Sequence, residues 1–341
     1  MSLTVTLADI AKKLNTTSAT VSRALNNHPG ISIKTKKRVL QAAEKLQYRR
    51  NTVASALRSG QTGIIGVIIP SAEINFFGSV VHGIEAMANQ NGYNVLIYQS
   101  NESREHEQKG IETLLNARVD GIMVSMAKEK NDHQHFLTAK QAKMPLVFFD
   151  RSDDELEIDA VVIDDHKGGF LATSHLIEQG YTGIAHITGP QHIKIFKARF
   201  EGYKQALKHA GIKFDARFVY HGDVSIEAGK QAIQHFLKLQ KPPDAVFAVE
   251  DFTALGAIKE LKSNQVSIPR DFGIIGFANE GFGEHISPSL STIDQQTVQM
   301  GKEAFQLMLK LIEEKGKAGT AVVKKILDPI PIFRNSSLRN G

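Results

Sequence analysis

From Gly63 onward the chain alternates continuous apolar runs with stretches of helical periodicity, and this alternation constrains the fold more than any other feature. The run IIGVIIP at 64–70 is typical of a strand buried on both faces. A helical stretch follows to Gln90 and ends at Asn91 and Gly92, and YNVLIYQ resumes as a strand. The same rhythm returns in GIMVSM, PLVFFD, AVVIDD, IAHITG, AVFAVE and GIIGFA. It predicts an α/β core in which a doubly wound parallel sheet is repeated in two lobes.

Basic residues are concentrated in the first 60 positions, ahead of this core. That segment holds eleven Lys or Arg against Asp9 and Glu44, a net charge of +9, and the other 281 residues hold 30 basic and 34 acidic side chains. A small basic segment with its own hydrophobic pattern predicts a domain that binds a polyanion, nucleic acid above all. A merely solubilising basic tail would lack such a pattern.

Three short helices are predicted in the basic segment, with a tight turn between the first two. Thr6 with Asp9 resembles a capping box, Thr17 can cap a helix from Ser18 to Leu25, and Ser32 can cap a third. The residues predicted to face inward are Leu7, Ile10, Ala11 and Leu14, then Ala19, Val21, Ala24 and Leu25, then Val39, Leu40, Ala43 and Leu46. This arrangement is a helix-turn-helix, whose second helix enters the major groove of double-stranded DNA.

The second helix has an outward face of small polar side chains and one arginine. A solvated face usually carries long charged residues, whereas small side chains allow base edges to approach closely. Arg23 can form two hydrogen bonds with a guanine. The outward residues of this helix are Thr17, Ser18, Thr20, Ser22 and Arg23, and those of the third are Lys34, Lys36, Lys37 and Arg38.

A fourth element, NTVASALRSG at 51–60, has room for about two helical turns. Helices this short are marginal in water, so it should form only when something packs on it. A flexible linker would instead be rich in Gly, Ser and Pro, where this segment has Val53, Ala54, Ala56 and Leu57.

Several blocks resemble the LacI/GalR (lactose/galactose repressor) family of transcription regulators. They begin with VTLADIAKKLNTTSATVSRALN and continue in order through RVLQAAEKLQY, FFGSVVHGIEAMANQNGYNV, ARFEGYKQALKHAGI and PDAVFAVEDFTALGAIKEL. The resemblance implies a homodimer on a pseudo-palindromic operator, with a small-molecule effector in a core like that of type I periplasmic binding proteins. The implied domains are a DNA-binding domain at 1–50, a hinge at 51–61 and a core at 62–341. The core would comprise an N-lobe of about 62–162 and 293–325 and a C-lobe of about 163–292 and 326–341.

The resemblance also implies which residues contact DNA. Ser18, Ala19 and Arg23 would read bases, and Leu57 would wedge into the minor groove at the operator centre. The chain departs from the family at Arg50, where proline usually precedes the hinge. The full predicted set is Thr6, Thr17, Ser18, Ala19, Thr20, Ser22, Arg23, Asn26, Lys36, Lys37, Asn51, Ala54 and Leu57.

The effector is expected beyond the carboxyl ends of the strands, in segments 71–77, 150–151, 190–199, 223–224, 250–251 and 278–280. By the resemblance, Asp150 and Arg199 are polar contacts and Phe76 with Phe77 form an aromatic wall, although an Asp–Arg pair could simply join the lobes. At other positions residues common in the family are replaced: an aromatic by Val224, Asp by Ala278, Asn by Glu250, and polar residues by Ile193 and Ile195. The effector is therefore predicted only as a sugar or related metabolite.

Other classes of function are disfavoured. The chain lacks cysteine and the common hydrolase, metalloprotease and phosphate-loop motifs, so neither catalysis nor a cofactor is expected. His133, His135 and the Asp164–His166 segment are expected to be surface features rather than metal ligands. No export signal or membrane span is evident, which favours a cytoplasmic protein. A solute-binding protein for transport or sensing is the alternative, because its core would look the same.

Overall fold

The computed structural model describes residues 5–48, 61–129, 133–314 and 321–339. The chain divides into two compact units, residues 1–62 and 63–341. None of the helices in these ranges is both long and apolar enough to cross a membrane.

The first unit contains the three expected helices, α1 (Leu7–Leu14), α2 (Ser18–Leu25) and α3 (Ile33–Lys45). Each begins at the predicted cap: Thr6 and Asp9 form a reciprocal capping box, the Thr17 hydroxyl accepts from the backbone N–H of Thr20, and the Ser32 hydroxyl accepts from that of Thr35. These caps satisfy N–H groups that have no partner within the first turn. The capping predictions for this unit are confirmed.

The small core of this unit is built from one apolar face of each helix: Ile10, Ala11, Val21, Ala24, Val39, Ala42 and Ala43. Two inward predictions were wrong. Leu40 is 56 % exposed, because at 3.6 residues per turn it lies about 100° from Val39 and the buried position falls to Ala42. Ala19 is also exposed and shares the outer face of α2 with Ser18.

Within the described residues, the second unit contains two parallel sheets whose central strands are buried on both faces. The six-stranded sheet has the order β11-β5-β4-β3-β1-β2, and we call the lobe built on it the N-lobe. The four-stranded sheet, β7-β6-β8-β9, defines the C-lobe, and β10 pairs antiparallel with β12. The strands are β1 (Ile64–Ile69), β2 (Asn94–Gln99), β3 (Gly121–Val124), β4 (Leu146–Phe149), β5 (Asp159–Ile163), β6 (Ile184–Thr188), β7 (Val219–His221), β8 (Ala245–Ala248), β9 (Gly273–Ile275), β10 (Thr292–Asp294), β11 (Lys324–Leu327) and β12 (Ile330–Ile332).

Helices cover both faces of each sheet, so the predicted doubly wound two-lobed fold is confirmed. The N-lobe has apolar clusters on either face of its sheet, one around Phe149 and one around Phe148, because neighbouring residues of β4 point to opposite faces. The helices of this unit are α4 (Asn75–Gln90), α5 (Arg104–Asn116), α6 (Gln134–Gln141), α7 (Asp165–Glu178), α8 (Lys194–His209), α9 (Ile226–Leu237), α10 (Asp251–Ser263) and α11 (Thr297–Glu313).

The chain passes between the lobes after β5, after β10 and after β11. The carboxyl ends of the parallel strands therefore face each other across a cleft, where ligands of such sheets bind.

Three helix pairs pack with their backbones in close approach, and each pair meets at reciprocal glycines. In the pair α4–α11, a Cβ on Gly83 would overlap the carbonyl of Val298, and one on Gly301 would overlap that of Val80. The other reciprocal pairs are Gly169 with Gly202 in α7–α8 and Gly229 with Gly256 in α9–α10. Since α4, α8 and α10 begin at the cleft, this close packing fixes the positions of the residues at their first turns.

Candidate functional site

The outer face of α2 has the properties expected of a recognition surface. Val21 and Ala24 are buried on its inner face, while Ser18, Ala19 and Arg23 are exposed on the other. Thr17 and Thr20 are joined by their hydroxyls at 3.0 Å, which ties the start of the helix together. The capped helix thus presents short side chains and one guanidinium on a rigid support.

The remaining DNA-binding predictions fall on caps, on the turn and on α3. Asn26 follows the last residue of α2, Thr6 caps α1, and Ser22 is half-buried. The Lys36 ammonium donates to the carbonyl of Asn27 at 3.1 Å, so Lys36 fastens the turn after α2, whereas Lys37 is exposed. Asn51, Ala54 and Leu57 lie outside the described residues.

The nine predicted effector residues come from six separate segments and converge on the cleft between the lobes. Seven of them line a cavity of about 30 Å³: Phe76, Phe77, Asp150, Ile195, Arg199, Glu250 and Ala278. Ile193 lines an adjoining cavity of about 590 Å³ that also includes Asp150 and Ile195. Val224 packs against a small apolar cluster that contains Ile193 and Ile195.

Asp150 lies at the end of β4 and is 5 % exposed. Its carboxylate accepts a hydrogen bond from the Ser125 hydroxyl at 3.1 Å and lies 3.6 Å from Nε of Arg151. Burial raises the pKa of Asp150, and the charges of Arg151 and Arg199 only partly oppose this. The carboxylate is therefore poorly solvated and would gain from a donor on a ligand.

Arg199 is a buried strut of the C-lobe side of the cleft. Its Nε donates to Asp165 at 2.7 Å, Nη1 to the carbonyl of Val249 at 2.8 Å and Nη2 to Gln295 at 3.2 Å. Its guanidinium carbon lies 3.7 Å from the centre of the Phe277 ring. The ion-pair partner of Arg199 is thus Asp165 and not Asp150, and two of its five N–H groups are left for the cavity that it lines.

A second charged group on the N-lobe side was not in the predicted set. Arg151 donates to both carboxylate oxygens of Glu102, at 2.8 and 3.1 Å, and Glu102 also lies 3.4 Å from the Lys128 ammonium. Burial would raise the pKa of Glu102, but Arg151 and Lys128 outweigh it and hold that pKa below its usual range. Arg151 lies in one of the segments where the effector is expected, whereas Lys128 lies four residues beyond β3, outside every such segment.

The C-lobe contributes Glu250, Asp251 and Glu280. Asp251 accepts from the backbone N–H of Glu280 and from the Thr292 hydroxyl, both at 2.7 Å, and burial raises its pKa to about 7. Burial raises the pKa of Glu280, while the backbone of Phe76 and the side chain of Asn75, at the start of α4 in the opposite lobe, partly oppose this. Asp251 therefore holds the loop whose Glu280 reaches across the cleft.

Further contacts join the lobes at the rim of the cleft. The Lys194 ammonium of the C-lobe donates to Asp153 of the N-lobe at 2.8 Å, and the His192 ring lies 3.1 Å from the carbonyl oxygen of Lys128. Lys194 is 57 % exposed, so this ion pair is largely solvated and contributes little stability.

Three of the predicted effector residues have a left-handed backbone: Asp150 at φ 62°, Val224 at φ 63° and Ala278 at φ 119°. Outside glycine this region costs of order 1–3 kcal/mol, and for a β-branched residue such as Val224 it is rare. All three directly follow a strand or its short extension at the cleft. Three of the positions where the ligand is expected are thus strained, although left-handed residues also occur elsewhere in the described chain.

Two expectations about surface residues were wrong. His135 is buried and its Nε2 lies 2.9 Å from the buried carboxylate of Glu107, because α6 turns that face toward α5. Asp165 is buried in the pair with Arg199, and Asp164 caps α7 instead of lying in an ordinary loop. Within the described ranges no group of three or more His, Cys, Asp or Glu side chains is placed to hold a metal ion.

Known proteins share both units of this chain. Bacterial regulatory proteins of the lacI family match residues 6–51, and the periplasmic binding proteins and sugar binding domain of the LacI family match residues 62–335. The HTH-type transcriptional repressor CytR of Escherichia coli (strain K12) is 34% identical over 304 residues, which cover 89% of each chain. The repressor PurR of Aliivibrio fischeri (strain MJ11) is 31% identical over 312 residues, 91% of this chain and 92% of that protein.

Two solved structures share the fold of this chain over nearly its whole length. The lac repressor dimer bound to operator and the anti-inducer ONPF superposes with a TM-score of 0.86 at 26% identity, over 98% of this chain and 99% of that one. The transcriptional regulator CelR in complex with cellobiose gives a TM-score of 0.73 at 26% identity, over 97% and 99%.

A helix-turn-helix unit joined to a two-lobed core with a ligand cleft defines an effector-responsive, sequence-specific DNA-binding regulator of transcription. The chain belongs to the LacI family of bacterial regulatory proteins.

Proposed function

We propose that the protein is a cytoplasmic homodimer that represses transcription from a pseudo-palindromic operator and has no catalytic activity of its own. A small metabolite in the cleft between the lobes changes its operator affinity. The observation that carries this proposal is the convergence of nine residues, predicted from six segments, on one cleft between the two lobes. Binding there can favour one arrangement of the lobes only by its differential affinity for that arrangement.

On the DNA side, the proposal assigns base reading to the exposed face of α2. Arg23 is the one guanidinium on that helix, and Ser18 and Ala19 are short enough to let the helix lie close to base edges. Lys37 would contact phosphate, while Lys36 would support the turn through the Asn27 carbonyl. Leu57 would be the minor-groove wedge, as the family resemblance implies.

Dimerisation is assigned to the core. Strand β2 lies at one edge of the N-lobe sheet, where Leu96 is 42% and Ile97 51% exposed. An exposed apolar edge strand is a liability unless something covers it, and a second copy of the core would do so.

The test is fluorescence anisotropy on genomic fragments, followed by a synthetic duplex of the site that is found. We expect binding of 10⁻⁸–10⁻¹¹ M to a pseudo-palindrome, far tighter than to a scrambled duplex of equal length. Light scattering should give two chains alone and two chains per duplex. A monomer, or affinity that does not depend on sequence, would refute the proposal.

A further inference from the structure

The cations that line the small cavity already have carboxylate partners behind them. Arg199 pairs with Asp165 at 2.7 Å. Arg151 is held by both oxygens of Glu102, and Lys128 shares that carboxylate at 3.4 Å. Two carboxylates therefore offset most of the charge of the three cations before any carboxylate that faces the cavity is considered.

The carboxylates that face the cavity are Asp150, Glu250 and Glu280. Glu280 lies at the start of α4, so its charge meets the positive end of a helix. Asp150 accepts a hydrogen bond from the neutral Ser125 hydroxyl and lies 3.6 Å from Nε of Arg151, a cation that Glu102 already holds. Glu250 precedes α10 without capping it, and within the described residues its side chain has no hydrogen bond and no ion pair. Glu250 is thus a carboxylate without a dedicated partner at the wall of the cavity.

Asp150 and Glu250 come from opposite lobes and are close enough to affect each other. Both side chains line the same small cavity. Burial is the main cause that raises the pKa of Asp150; Arg151 and Arg199 oppose it, and the charge of Glu250 raises this pKa by a smaller amount, as it also raises the pKa values of Glu280 and Asp251. Like charges that share a poorly solvated space oppose each other. Arg151 lies beside Asp150, but both of its terminal nitrogens are already held by Glu102, so a further positive charge between Asp150 and Glu250 would stabilise the cleft.

We propose that the effector carries a protonated nitrogen that lies between Asp150 of the N-lobe and Glu250 of the C-lobe. This rests on the proposed function, in which the effector binds in this cleft, and it narrows the effector to an amine-bearing sugar or a similarly small polar amine. A protonated nitrogen can donate charge-assisted hydrogen bonds to both carboxylates and so joins the lobes. A neutral sugar would leave the two charges facing each other, and an anionic ligand would add a third.

The remaining features of the cavity suit such a molecule. Nε of Arg151 is buried and has no hydrogen-bond partner among the described residues, so it can donate to a hydroxyl or ring oxygen. Phe76 and Phe77 meet edge to face at 5.1 Å and offer an aromatic wall, which attracts a cation as well as an apolar ring face.

A test that needs no knowledge of the effector is to change the charge at position 250. In ligand-free full-length protein at pH 8, Glu250→Gln should raise the melting temperature of the core by about 2–4 °C, and Glu250→Lys, which supplies the cation within the chain, should raise it further. Glu178→Lys, on an exposed residue near the end of α7, is the matched control and should leave it unchanged. Melting temperatures that fall from wild type to Gln to Lys would overturn the proposal.

A second measurement uses matched ligands: glucosamine against glucose, galactosamine against galactose, and mannosamine against mannose. The proposal is supported if, in at least one pair, the amino sugar raises the melting temperature of the wild type, the neutral sugar does not, and Glu250→Gln abolishes the effect. It is overturned if the neutral sugars stabilise the wild type instead. Should no pair bind, the order of melting temperatures decides. If neither the wild type nor any variant bound an operator, the proposed function would be refuted. The order of melting temperatures would still test the charge at position 250, because that measurement needs no DNA.

Discussion

Asp251 allows a sharp test of how the cleft is held together. Its carboxylate is 1% exposed and accepts from the Glu280 N–H and the Thr292 hydroxyl. Burial raises its pKa from 3.8 to about 7. The folded protein therefore binds a proton at Asp251 that the unfolded chain releases near pH 4, so this residue lowers stability as pH rises from about 4 to 7. A shift of about 3 units corresponds to at most ~4 kcal/mol.

Asp251→Asn should remove that loss. The amide can keep both contacts, because its oxygen accepts from Glu280 and its nitrogen donates to the Thr292 hydroxyl, which can also accept. In urea unfolding, the variant and wild type should be similar near pH 4, where Asp251 is protonated in the folded protein and partly so in the unfolded chain. At pH 8 the variant should be more stable, by an amount of order 2–4 kcal/mol.

The control is Asp271→Asn, which changes an exposed aspartate of the same lobe that is paired with Arg270. Its difference from wild type should not grow with pH, because the pKa of Asp271 lies below its usual value through the hydrogen bonds from Arg270. A constant difference between Asp251→Asn and wild type from pH 4 to 8, or one that grows toward acid, would show that Asp251 is not a buried carboxylate with a raised pKa.

Two further predictions concern DNA reading and helix packing. Arg23→Ala should weaken operator binding and lose ~1–3 kcal/mol of discrimination at one symmetric base pair, whereas Lys37→Ala should weaken all duplexes alike and reduce the salt slope by about 0.9; unchanged sequence preference in Arg23→Ala would contradict the assignment. Gly83→Ala should destabilise the core by ~1–3 kcal/mol, because its Cβ would meet the Val298 carbonyl, whereas Gly78→Ala in the same helix has open space and should gain ~0.5–1 kcal/mol; equal unfolding midpoints in urea would refute this.

The sequence predicted those helices and strands whose residue pattern matches the way they are buried in the fold. Strand β1 is apolar at successive positions because both faces of the sheet are covered there. Helix α2 begins after its N-cap Thr17 and ends before its C-cap Asn26. Edge strands were harder to see. Strand β11 has the sequence KKIL and three exposed residues, so it lacks the apolar run that marks a central strand. The prediction for Leu40 had a different cause. A short helix has few residues from which its buried face can be determined, so the predicted face was displaced by one position.

Ion pairs between distant segments could not be read from the chain at all. Asp165 and Arg199 are 34 positions apart, and their pairing follows from the close packing of α7 on α8, through Gly169 and Gly202. The same holds for Arg151 and Glu102, which are 49 positions apart. Parallel sheets bring the ends of their strands together, so the topology predicted a cleft lined by these segments but not which charges would face one another.

The residues with a left-handed backbone bear on which effectors the cleft can distinguish. Nothing local favours a left-handed backbone at Val224, and only the packing of the C-lobe can hold it there. Val224 and Ala278 are also two of the positions where the resemblance implied larger ligand-binding side chains. Because the side chains at these two positions are small, the polar contacts to a ligand must come from the charged groups of the cavity. These are Asp150 from one lobe, Glu250 from the other, and Arg151 beside them. Discrimination between effectors should therefore depend on charge more than on an aromatic stacking platform.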